Sequence, residues 1–532
     1  MALTQEQLQA FADIVGEEWV SNDPVDCIGW AWRAGMMSMI LEHEPLFEAI
    51  IMPSTTEEVA AIVKECNKQG LQFKPSATGW GVYNAPGGPG VVKLDMRRMN
   101  KIIEINEDSM YAVVQSYVIA AELQAELMKR NLSCLINGAG GNCSALPICA
   151  HEGVGHLSGT YGIGDRNILA CEWVTPEGDI VRLGTLGDNG EWFSGDGPGP
   201  SLRALIRGGV THLGALGVVT AAAQKVYHSA FPTKVPVRGV SPKYCPEPPI
   251  PRTRLWYISW DDEEARAKAF YMMGDNEVPL GIMGFMVDMT AHNVATSNEE
   301  ALLLGELYRK EYKGPAFCVI IAGNSDADFE YKLKMMEIII EETNGLSLSA
   351  IEEGDEQWDF VWRYFRNTST ARETMRPTGN FGGVVMRNDK FEAQKVGVMR
   401  HPEIKKGLIA DGMVLDESTD PFLTQLEVGQ FSHSEALLHW RPPKPGPDVD
   451  KQVEAIIGQN AMVMNLYALE QCLGLPNMAW GDKSHDLFGP HMCGYHTWMR
   501  RIKRAFDPND LAEGTNDITW KSSADELDKM IN

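Results

Sequence analysis

The sequence predicts an α+β protein of at least two domains, and three observations support this. The chain has 532 residues, which exceeds what one small core needs. From Thr55 to about Tyr227, short strand-like runs with tight turns alternate with helix-like runs. The stretch Phe231–Arg252 then holds seven prolines and no long period, so it is predicted to be a linker to a second α+β domain.

The first domain is predicted from apolar periodicity and turn residues. We expect helices at 54–70 and 120–129, and strands at 71–74, 91–95, 101–105, 111–115, 169–175 and 180–183, the last two joined as a hairpin. The second domain is expected to contain strands at 255–259 and 316–322 and charged amphipathic helices at 299–313 and 326–343. No internal repeat accompanies these elements.

Composition excludes several function classes. The net charge of −25 would repel the phosphates of nucleic acids and anionic membrane surfaces. The ten cysteines are scattered without a C-x-x-C pair, which argues against an iron–sulfur or zinc framework and fits a reducing compartment. The polar start of the chain and the lack of a membrane-length apolar run lead us to expect a cytoplasmic protein with a small-molecule substrate.

A glycine-rich segment, Lys74-Pro-Ser-Ala-Thr-Gly-Trp-Gly-Val-Tyr-Asn-Ala-Pro86, is the most informative motif. It lies between two predicted strands. Small residues there leave backbone N–H groups unshielded, and such a nest of amides suits a diphosphate. Most loops of this kind are simple turns, so the motif needs support from elsewhere in the chain.

That support comes from three further segments in a fixed order. They are Ser144-Ala-Leu-Pro-Ile-Cys-Ala-His-Glu-Gly-Val-Gly-His156 with Tyr161-Gly-Ile-Gly-Asp165, then Ser201–Arg207 with Leu213-Gly-Ala-Leu-Gly-Val-Val-Thr220, and finally Arg501-Ile-Lys-Arg-Ala-Phe-Asp-Pro-Asn-Asp-Leu511. Together with the first loop they resemble the PCMH-type FAD-binding flavoproteins. That family includes vanillyl-alcohol oxidase, 4-cresol dehydrogenase, glycolate and D-lactate dehydrogenases, and alkyl-dihydroxyacetone-phosphate synthase.

The resemblance implies a two-subdomain FAD-binding domain, a cap domain with an antiparallel sheet, and a homo-oligomer, for which a homodimer is expected. The expected boundaries are a helical extension at 1–43, the FAD domain at 44–230, the cap at 231–470 and a returning C-terminal segment at 471–532. The implied FAD contacts are Pro75, Ser76, Ala77, Thr78, Gly79, Trp80, Gly81, Pro86, Ser144, Ile148, Cys149, Glu152, Gly153, Gly155, Gly217, Val218 and Val219.

The flavin is expected to be non-covalent. Relatives that attach it through a histidine of the first loop have that histidine where this chain has Trp80. Others attach it after a Val-Gly strand, which corresponds here to Ser434 or Glu435, one residue from His433.

The substrate is less clear from the resemblance. The phenol-oxidising members place tyrosines and an arginine where this chain has Trp80, His156, Lys483 and Ser484, and an acid where it has Ala139. A para-substituted phenol is therefore doubtful, although Lys483 could hold an anionic oxygen.

The hydroxy-acid members have a metal-binding histidine motif that corresponds to Phe431–His439. This chain keeps His433 and His439 but loses the aspartate and the spacing. A metal bound by His433, Glu435 and His439 stays open, and hydrogen-bonding residues on a strand are the preferred interpretation, with no metal expected.

The acid–base candidates are His156, His433, Glu435 and His485, because histidine titrates near neutrality and can accept an alcohol proton. Arg366, with Arg363 and Tyr364, resembles an element that could clamp a carboxylate.

We expect an FAD-dependent dehydrogenase or oxidase that removes hydride from a 2-hydroxy acid or an aromatic or benzylic alcohol. The alternatives are para-alkylphenol oxidation, a non-redox alkyl-glycerone-phosphate synthase-like transferase, and a non-catalytic flavin subunit. The electron acceptor could be oxygen, a cytochrome or an electron-transfer flavoprotein.

Overall fold

The computed structural model describes most of the chain. The described residues are 3–30, 46–79, 84–136, 140–150, 153–184, 202–207, 214–239, 245–247, 250–284, 290–292, 295–311, 314–354, 357–358, 360–362, 382–388, 405–410, 412, 422–427, 432–438, 481–513, 518–523 and 525.

Twelve helices and twenty strands are used below. The helices are α1 (Gln5–Val15), α2 (Pro24–Trp30), α3 (Thr56–Gln69), α4 (Ala120–Met128), α5 (Ala145–Ala150), α6 (Ser158–Tyr161), α7 (Glu263–Asp275), α8 (Asn298–Glu311), α9 (Asp326–Thr343), α10 (Ser349–Glu352), α11 (Gly481–Phe488) and α12 (Tyr495–Phe506). The strands up to residue 228 are β1 (Val20–Ser21), β2 (Ala49–Ile51), β3 (Gln72–Ser76), β4 (Val91–Asp95), β5 (Ile102–Asn106), β6 (Tyr111–Gln115), β7 (Leu132–Ser133), β8 (Ile168–Val174), β9 (Ile180–Leu183), β10 (Val218–Lys225) and β11 (Tyr227–His228). The later strands are β12 (Val237–Arg238), β13 (Cys245–Pro246), β14 (Thr253–Ser259), β15 (Gly281–Gly284), β16 (Ala316–Ala322), β17 (Leu346–Ser347), β18 (Gly382–Asn388), β19 (Phe422–Gln425) and β20 (Ser432–Leu438).

The first sheet has the order β1-β2-β4-β3, with β2 and β3 both parallel to β4. Parallel neighbours need a crossover connection, and α3 provides it between β2 and β3. This helix starts at Thr55, whose side chain accepts from the Glu58 N–H, and ends at Gly70 in the left-handed region with φ 68°. Its apolar face packs with α1 on the sheet and forms one core.

The second sheet is antiparallel, with the order β5-β6-β10-β8-β9. Its central strand β10 is buried along seven of its eight residues. The short helix α5 packs against β10 and β6, so the segment after Ser144 is held directly on this sheet.

The cap contains a seven-stranded antiparallel sheet of order β17-β14-β16-β15-β19-β20-β18. Side chains alternate between its faces. One face, with Trp256, Val319 and Leu423, packs on α7 and α9. The opposite face, with Tyr257, Cys318 and Met283, shares a core with residues of the first domain. The sheet therefore presents one face to the helices and the other to the FAD-segment region.

The C-terminal segment returns to the first sheet. Phe73 of β3 pairs in parallel with Ala512, through Phe73 N–H to Leu511 O at 3.0 Å and Glu513 N–H to Phe73 O at 2.9 Å. Glu513 also accepts from Lys74 Nζ at 2.7 Å, and both side chains are buried.

The fold class predicted from the sequence is confirmed. The strands Val91–Asp95, Tyr111–Gln115 and Ala316–Ala322 and the helix Asp326–Thr343 have the predicted bounds. The segment predicted as a linker contains a short hairpin of β12 with β13. The helical extension also contributes a strand, because β1 pairs with β2. The domain boundaries themselves stay predictions. Among the described residues no helix is long and apolar enough to cross a bilayer.

Candidate functional site

The sequence assigned three segments to FAD: the first is the loop after β3, the second begins at Ser144 and the third contains Gly217. The structure brings these three segments together. The first and second meet where the Thr78 N–H donates to Ser144 Oγ at 3.2 Å, and the two hydroxyl oxygens lie 3.3 Å apart. The first and third meet at Pro75, since a Cβ on Gly214 would lie 2.8 Å from the proline Cδ. Segments separated by more than sixty residues therefore converge on the end of β3.

The loop after β3 has the features that a diphosphate requires. It begins at the carboxyl end of a strand in a parallel pair, the usual position for ligand-binding loops in such sheets. Residues 75–79 are half-buried, and Gly79 adopts φ 71°, which a larger side chain would strain. Ser76 Oγ donates to Asn84 Oδ1 at 2.7 Å and ties the start of the loop to its end. Trp80 and Gly81 lie outside the described residues.

The glycines of the second segment are required by packing. A Cβ on Gly155 would lie 1.8 Å from Ile136 O, and one on Gly153 would lie 2.4 Å from Ile148 Cγ2. Cys149 is buried and its thiol donates to Gln224 Oε1 of β10 at 2.7 Å. The neighbouring Glu152 lies outside the described residues. The sequence pattern thus marks a close approach of backbones, which brings the segment onto the second sheet.

The third segment contains a turn that only glycine fits. Gly217 has φ 103°, and a Cβ there would lie 2.3 Å from Val174 O. Val218 and Val219 start β10 and pair with Val174 and Trp173. The turn is also held from the C-terminus, because Lys503 Nζ donates to Ala215 O at 2.8 Å.

The Asp507-Pro508-Asn509 element holds Lys503 in position for its contact with Ala215 O. Asp507 accepts from Lys503 Nζ at 2.8 Å, and its carboxylate also accepts the N–H groups of Leu511 and Ala512. Lys503 and Asp507 are both about 1% exposed. One buried ion pair thus connects the C-terminal segment to the third FAD segment and to β3.

The face of the cap sheet that carries Met283 contacts the second FAD segment at His156. This histidine is 2% exposed, and its Nδ1 lies 2.9 Å from Met283 Sδ of β15. Nearby, Thr160 Oγ1 donates to Leu280 O at 2.7 Å. Farther along, Arg166 forms an ion pair with Glu427, which follows β19. The cap sheet and the FAD segments are therefore in direct contact around His156.

His433 lies in the same row of the cap sheet as Met283. The register pairs Met283 with Thr424 and Thr424 with His433. Directly opposed residues of antiparallel strands share a face, so the buried His433 is on the face that Met283 presents to His156. Two strand spacings separate the Met283 and His433 backbones by roughly 10 Å.

His485 lies in a different environment, on α11 against α12. It is 1% exposed, and burial lowers its pKa to about 4, with Arg500 and His496 adding to the decrease against Asp482 and Asp486. A neutral imidazole with so acidic a conjugate acid holds a proton poorly at pH 7. The lowered pKa thus makes His485 a weaker proton acceptor than an ordinary histidine, which leaves His156 and His433 as the favoured candidates.

The remaining predicted residues cannot be placed in the site. Glu435 and Lys483 lie in β20 and α11, where the structure describes only the backbone of these two residues. Residues Arg363, Tyr364, Arg366, Ala139 and His439 lie outside the described residues. Within the described parts of the chain, no group of three or more His, Cys, Asp or Glu side chains is arranged to hold a metal. The predicted assignments of these residues stay predictions.

Sequence reasoning missed several residues that shape the loop and its supports. They are Asn84, Lys93, Lys503 and Glu427. Lys93 did carry a signal, because it is a charged residue within the otherwise apolar start of the strand Val91-Val-Lys-Leu-Asp95.

Comparison with known proteins agrees with this geometry. A family model described as an FAD binding domain matches residues 47–184. The sequence is 29% identical over 195 residues to the glycolate oxidase subunit GlcD of Bacillus subtilis, covering 35% of this chain and 38% of that protein. It is 28% identical over 178 residues to the 4-cresol dehydrogenase [hydroxylating] flavoprotein subunit of Pseudomonas putida, covering 31% and 32%. The structure of p-cresol methylhydroxylase with substrate bound superimposes with a TM-score of 0.73 at 15% identity, over 98% of both chains.

These findings define a flavoprotein whose N-terminal region is an FAD-binding domain. Residues 47–184 are an FAD binding domain, the chain resembles the PCMH-type flavoproteins in sequence and in fold, and its cofactor is FAD. The predicted resemblance and the predicted cofactor are thereby confirmed. The sequence matches span 38% and 32% of the length of the two curated relatives named above, so the activity of the whole protein is a separate question.

Proposed function

We propose that this protein is an FAD-dependent oxidoreductase that removes hydride from the C–H of a 2-hydroxy acid or an aromatic or benzylic alcohol, with His156 as the base. The observation that carries the proposal is the position of His156. It is a buried histidine at the contact between the second FAD segment and the cap sheet.

The contact with Met283 defines which ring nitrogen can accept a proton. A thioether sulfur accepts hydrogen bonds and donates none, so the contact at 2.9 Å favours the tautomer with the hydrogen on Nδ1. The neutral ring then has Nε2 as its acceptor atom. Such an imidazole can take the hydroxyl proton of an alcohol while the carbon loses hydride.

FAD, when bound, supplies the hydride acceptor of this reaction at flavin N5. The chain's own contribution is to bind and orient. The amides of the loop at 75–79 and the turn at Gly217 are the groups proposed to hold the cofactor, non-covalently. The contact between the FAD segments and the cap sheet excludes water from His156. His433, on the same sheet face, is proposed to contact the substrate.

A 2-hydroxy acid or alcohol is favoured by the residues at the site. The relative from Bacillus subtilis is named a glycolate oxidase subunit, which fits a 2-hydroxy acid. His156 also stands where the phenol-oxidising members have a tyrosine. We also propose a cytoplasmic location and a homo-oligomer, as expected from the sequence. The proposed electron acceptor is oxygen, a cytochrome or an electron-transfer flavoprotein.

A para-alkylphenol is the second candidate substrate. It is supported by the similarity of the whole fold to p-cresol methylhydroxylase, which covers 98% of both chains. At 15% identity this similarity concerns the fold, and the replaced tyrosine and arginine positions weigh against a phenol.

An anaerobic stopped-flow screen distinguishes the two. The purified protein is mixed with glycolate, D- and L-lactate, mandelate, benzylic alcohols and 4-alkylphenols, and the loss of oxidised-flavin absorbance is followed. We expect hydroxy acids or alcohols to bleach the flavin. Bleaching by an alkylphenol alone would overturn the proposed substrate class. Bleaching by none of them would favour the transferase or the non-catalytic flavin subunit. Acid precipitation should leave the flavin in the supernatant, because a non-covalent cofactor separates from denatured protein.

A further inference from the structure

A buried lysine lies directly beneath the FAD loop. Lys93 is in the middle of β4, the strand that pairs with both β2 and β3 in the first sheet. It is 0% exposed. Lysine is almost never fully buried unless its charge is needed or paired, and the proposed reaction does not use it.

The ammonium group of Lys93 is held by neutral oxygens and aromatic rings. Its Nζ donates to Asn84 Oδ1 at 2.6 Å and to Trp30 O at 3.5 Å. It also lies 4.6 Å from the ring centroid of Trp30 and 5.1 Å from that of Phe47. These contacts favour a cation but supply no full negative charge.

Asn84 connects this lysine to the loop. The same Oδ1 accepts from Ser76 Oγ at 2.7 Å, and Nδ2 donates to Trp30 O at 2.9 Å. Gly79 packs on the amide, because a Cβ there would lie between 3.1 and 3.2 Å from the three terminal atoms of Asn84. Asn84 therefore determines where both Ser76 and Gly79 lie.

The charged groups around Lys93 already have partners of their own. Lys74, its cross-strand neighbour, pairs with Glu513 at 2.7 Å, and Asp95 pairs with Arg97 at 2.8 Å. Burial lowers the pKa of Lys93 to about 7, with Asp95 opposing the decrease and Lys74 and Arg97 adding to it. The lysine therefore changes its charge near neutral pH.

We propose that Lys93 is a positioning residue for the cofactor diphosphate: through Asn84 it orders Ser76 and Gly79, and its side chain lies behind the loop that would receive the diphosphate. This inference rests on the proposed assignment of the loop at 75–79 to the diphosphate. It concerns a residue outside the binding loop, and it adds a pH dependence to cofactor binding.

The direction of the linkage follows from the charges. A bound diphosphate brings negative charge close to the lysine and favours its protonated form. By reciprocity, the protonated lysine favours the bound diphosphate. The affinity for FAD is therefore highest below pH 7 and declines as the pH rises through 7. Each unit by which FAD raises the pKa of Lys93 weakens binding about tenfold over that range.

The test is a titration of the full-length chain, freed of FAD, with FAD and with riboflavin at pH 6, 7, 8 and 9. Wild-type protein, Lys93→Met and the exposed-lysine control Lys68→Met are compared. We expect the wild type and Lys68→Met to bind FAD about tenfold more weakly at pH 9 than at pH 6. Lys93→Met should bind about tenfold more weakly at pH 6 and show no such slope. Riboflavin, which lacks the diphosphate, should show no slope with any of the three proteins.

The variant Gly79→Val and thermal unfolding of Lys93→Met distinguish failure of the loop assignment from failure of the inference about Lys93. Gly79→Val tests the loop assignment itself, because its Cβ would displace Asn84 at a positive φ. If Gly79→Val leaves FAD binding unchanged, the loop assignment is wrong. If Gly79→Val weakens FAD binding but Lys93→Met changes neither affinity nor slope, the inference about Lys93 is overturned and the assignment stands. Thermal unfolding of Lys93→Met without FAD should be no less cooperative than that of the wild type. A slope that persists in Lys93→Met would assign the pH dependence to another group.

Discussion

The first sheet and the cap sheet position functional residues in different ways. The first sheet is largely parallel and shares a core with α1 and α3. It places a loop at the end of β3. The cap sheet is antiparallel and places side chains on a face, with Met283 and His433 in one row. Loops supply backbone amides for a phosphate, whereas a face supplies side chains for chemistry. The comparison predicts that changes near the first sheet alter cofactor binding and that changes at the cap contact alter the rate.

The largest effect is expected at the contact between the two regions. His156→Gln should lower the rate of flavin reduction by about 10²–10⁴-fold, because general base catalysis contributes that much. FAD content should be unchanged. Anaerobic stopped-flow with the best substrate measures the rate, and the absorbance ratio at 280 and 450 nm measures the FAD content. His485→Gln is the matched control and should retain the wild-type rate. Equal losses in both variants would contradict the role of His156.

A second large effect is expected where the C-terminal segment supports the FAD domain. Lys503→Met leaves Asp507 buried without its cation and removes a donor from Ala215 O. Breaking a buried ion pair on one side costs about 3–5 kcal/mol. Chemical unfolding should show this loss, together with weaker FAD retention. Lys334→Met, at an exposed lysine of α9, is the control. Unchanged stability of Lys503→Met would show that the ion pair does not hold this segment.

The pH dependence of stability should reveal the buried His485. Its pKa is lowered to about 4, so the unfolded chain binds the proton more readily than the folded chain below pH 6.5. Stability is therefore complete above pH 6.5 and declines as the pH falls toward 4, by up to about 3 kcal/mol from this group. His485→Gln should reduce the decline, measured by urea unfolding between pH 7 and 4. An identical decline in the variant would contradict the assignment.

The smallest effect is expected for the link between the first two FAD segments. Ser144→Ala removes the acceptor of the Thr78 N–H. Loss of one such hydrogen bond costs about 0.5–1.5 kcal/mol, so the Kd for FAD should rise several-fold. The rate of flavin reduction at saturating FAD should stay the same, because the Ser144 hydroxyl contacts Thr78 of the first loop. A lower rate of flavin reduction with an unchanged Kd for FAD would contradict the assignment of cofactor binding to the first-sheet region and of catalysis to the cap contact.

Much of the fold could be predicted because its signals are local. The apolar periods of α3 and α9, their caps and the turn residues are all within a few positions of the elements they define. The segments proposed to bind FAD stand out in the sequence because glycine and small residues in fixed order mark close approaches of the backbone. Gly155 and Gly217 show this, since a side chain at either would overlap a carbonyl oxygen.

The site could be predicted only in part. His156, His433, Glu435 and His485 were all acid–base candidates in the sequence, because the residue type gives no information on neighbours. The contact with Met283, 127 positions away, and the burial of His485 separated them. Asn84 was missed because an asparagine in a loop is commonly a turn residue. Lys93 was missed although its charge within an apolar strand was a signal, because its contact with Asn84 is set by the tertiary structure.

The sequence by itself determined the class of fold, the resemblance to a flavoprotein family and the cofactor, because these depend on local patterns and on the order of motifs along the chain. The tertiary structure decided which histidine meets the cap sheet, which lysine lies under the FAD loop and which carboxylates are already paired. Those properties arise from contacts between distant segments and from the exclusion of water, neither of which is encoded at any single position.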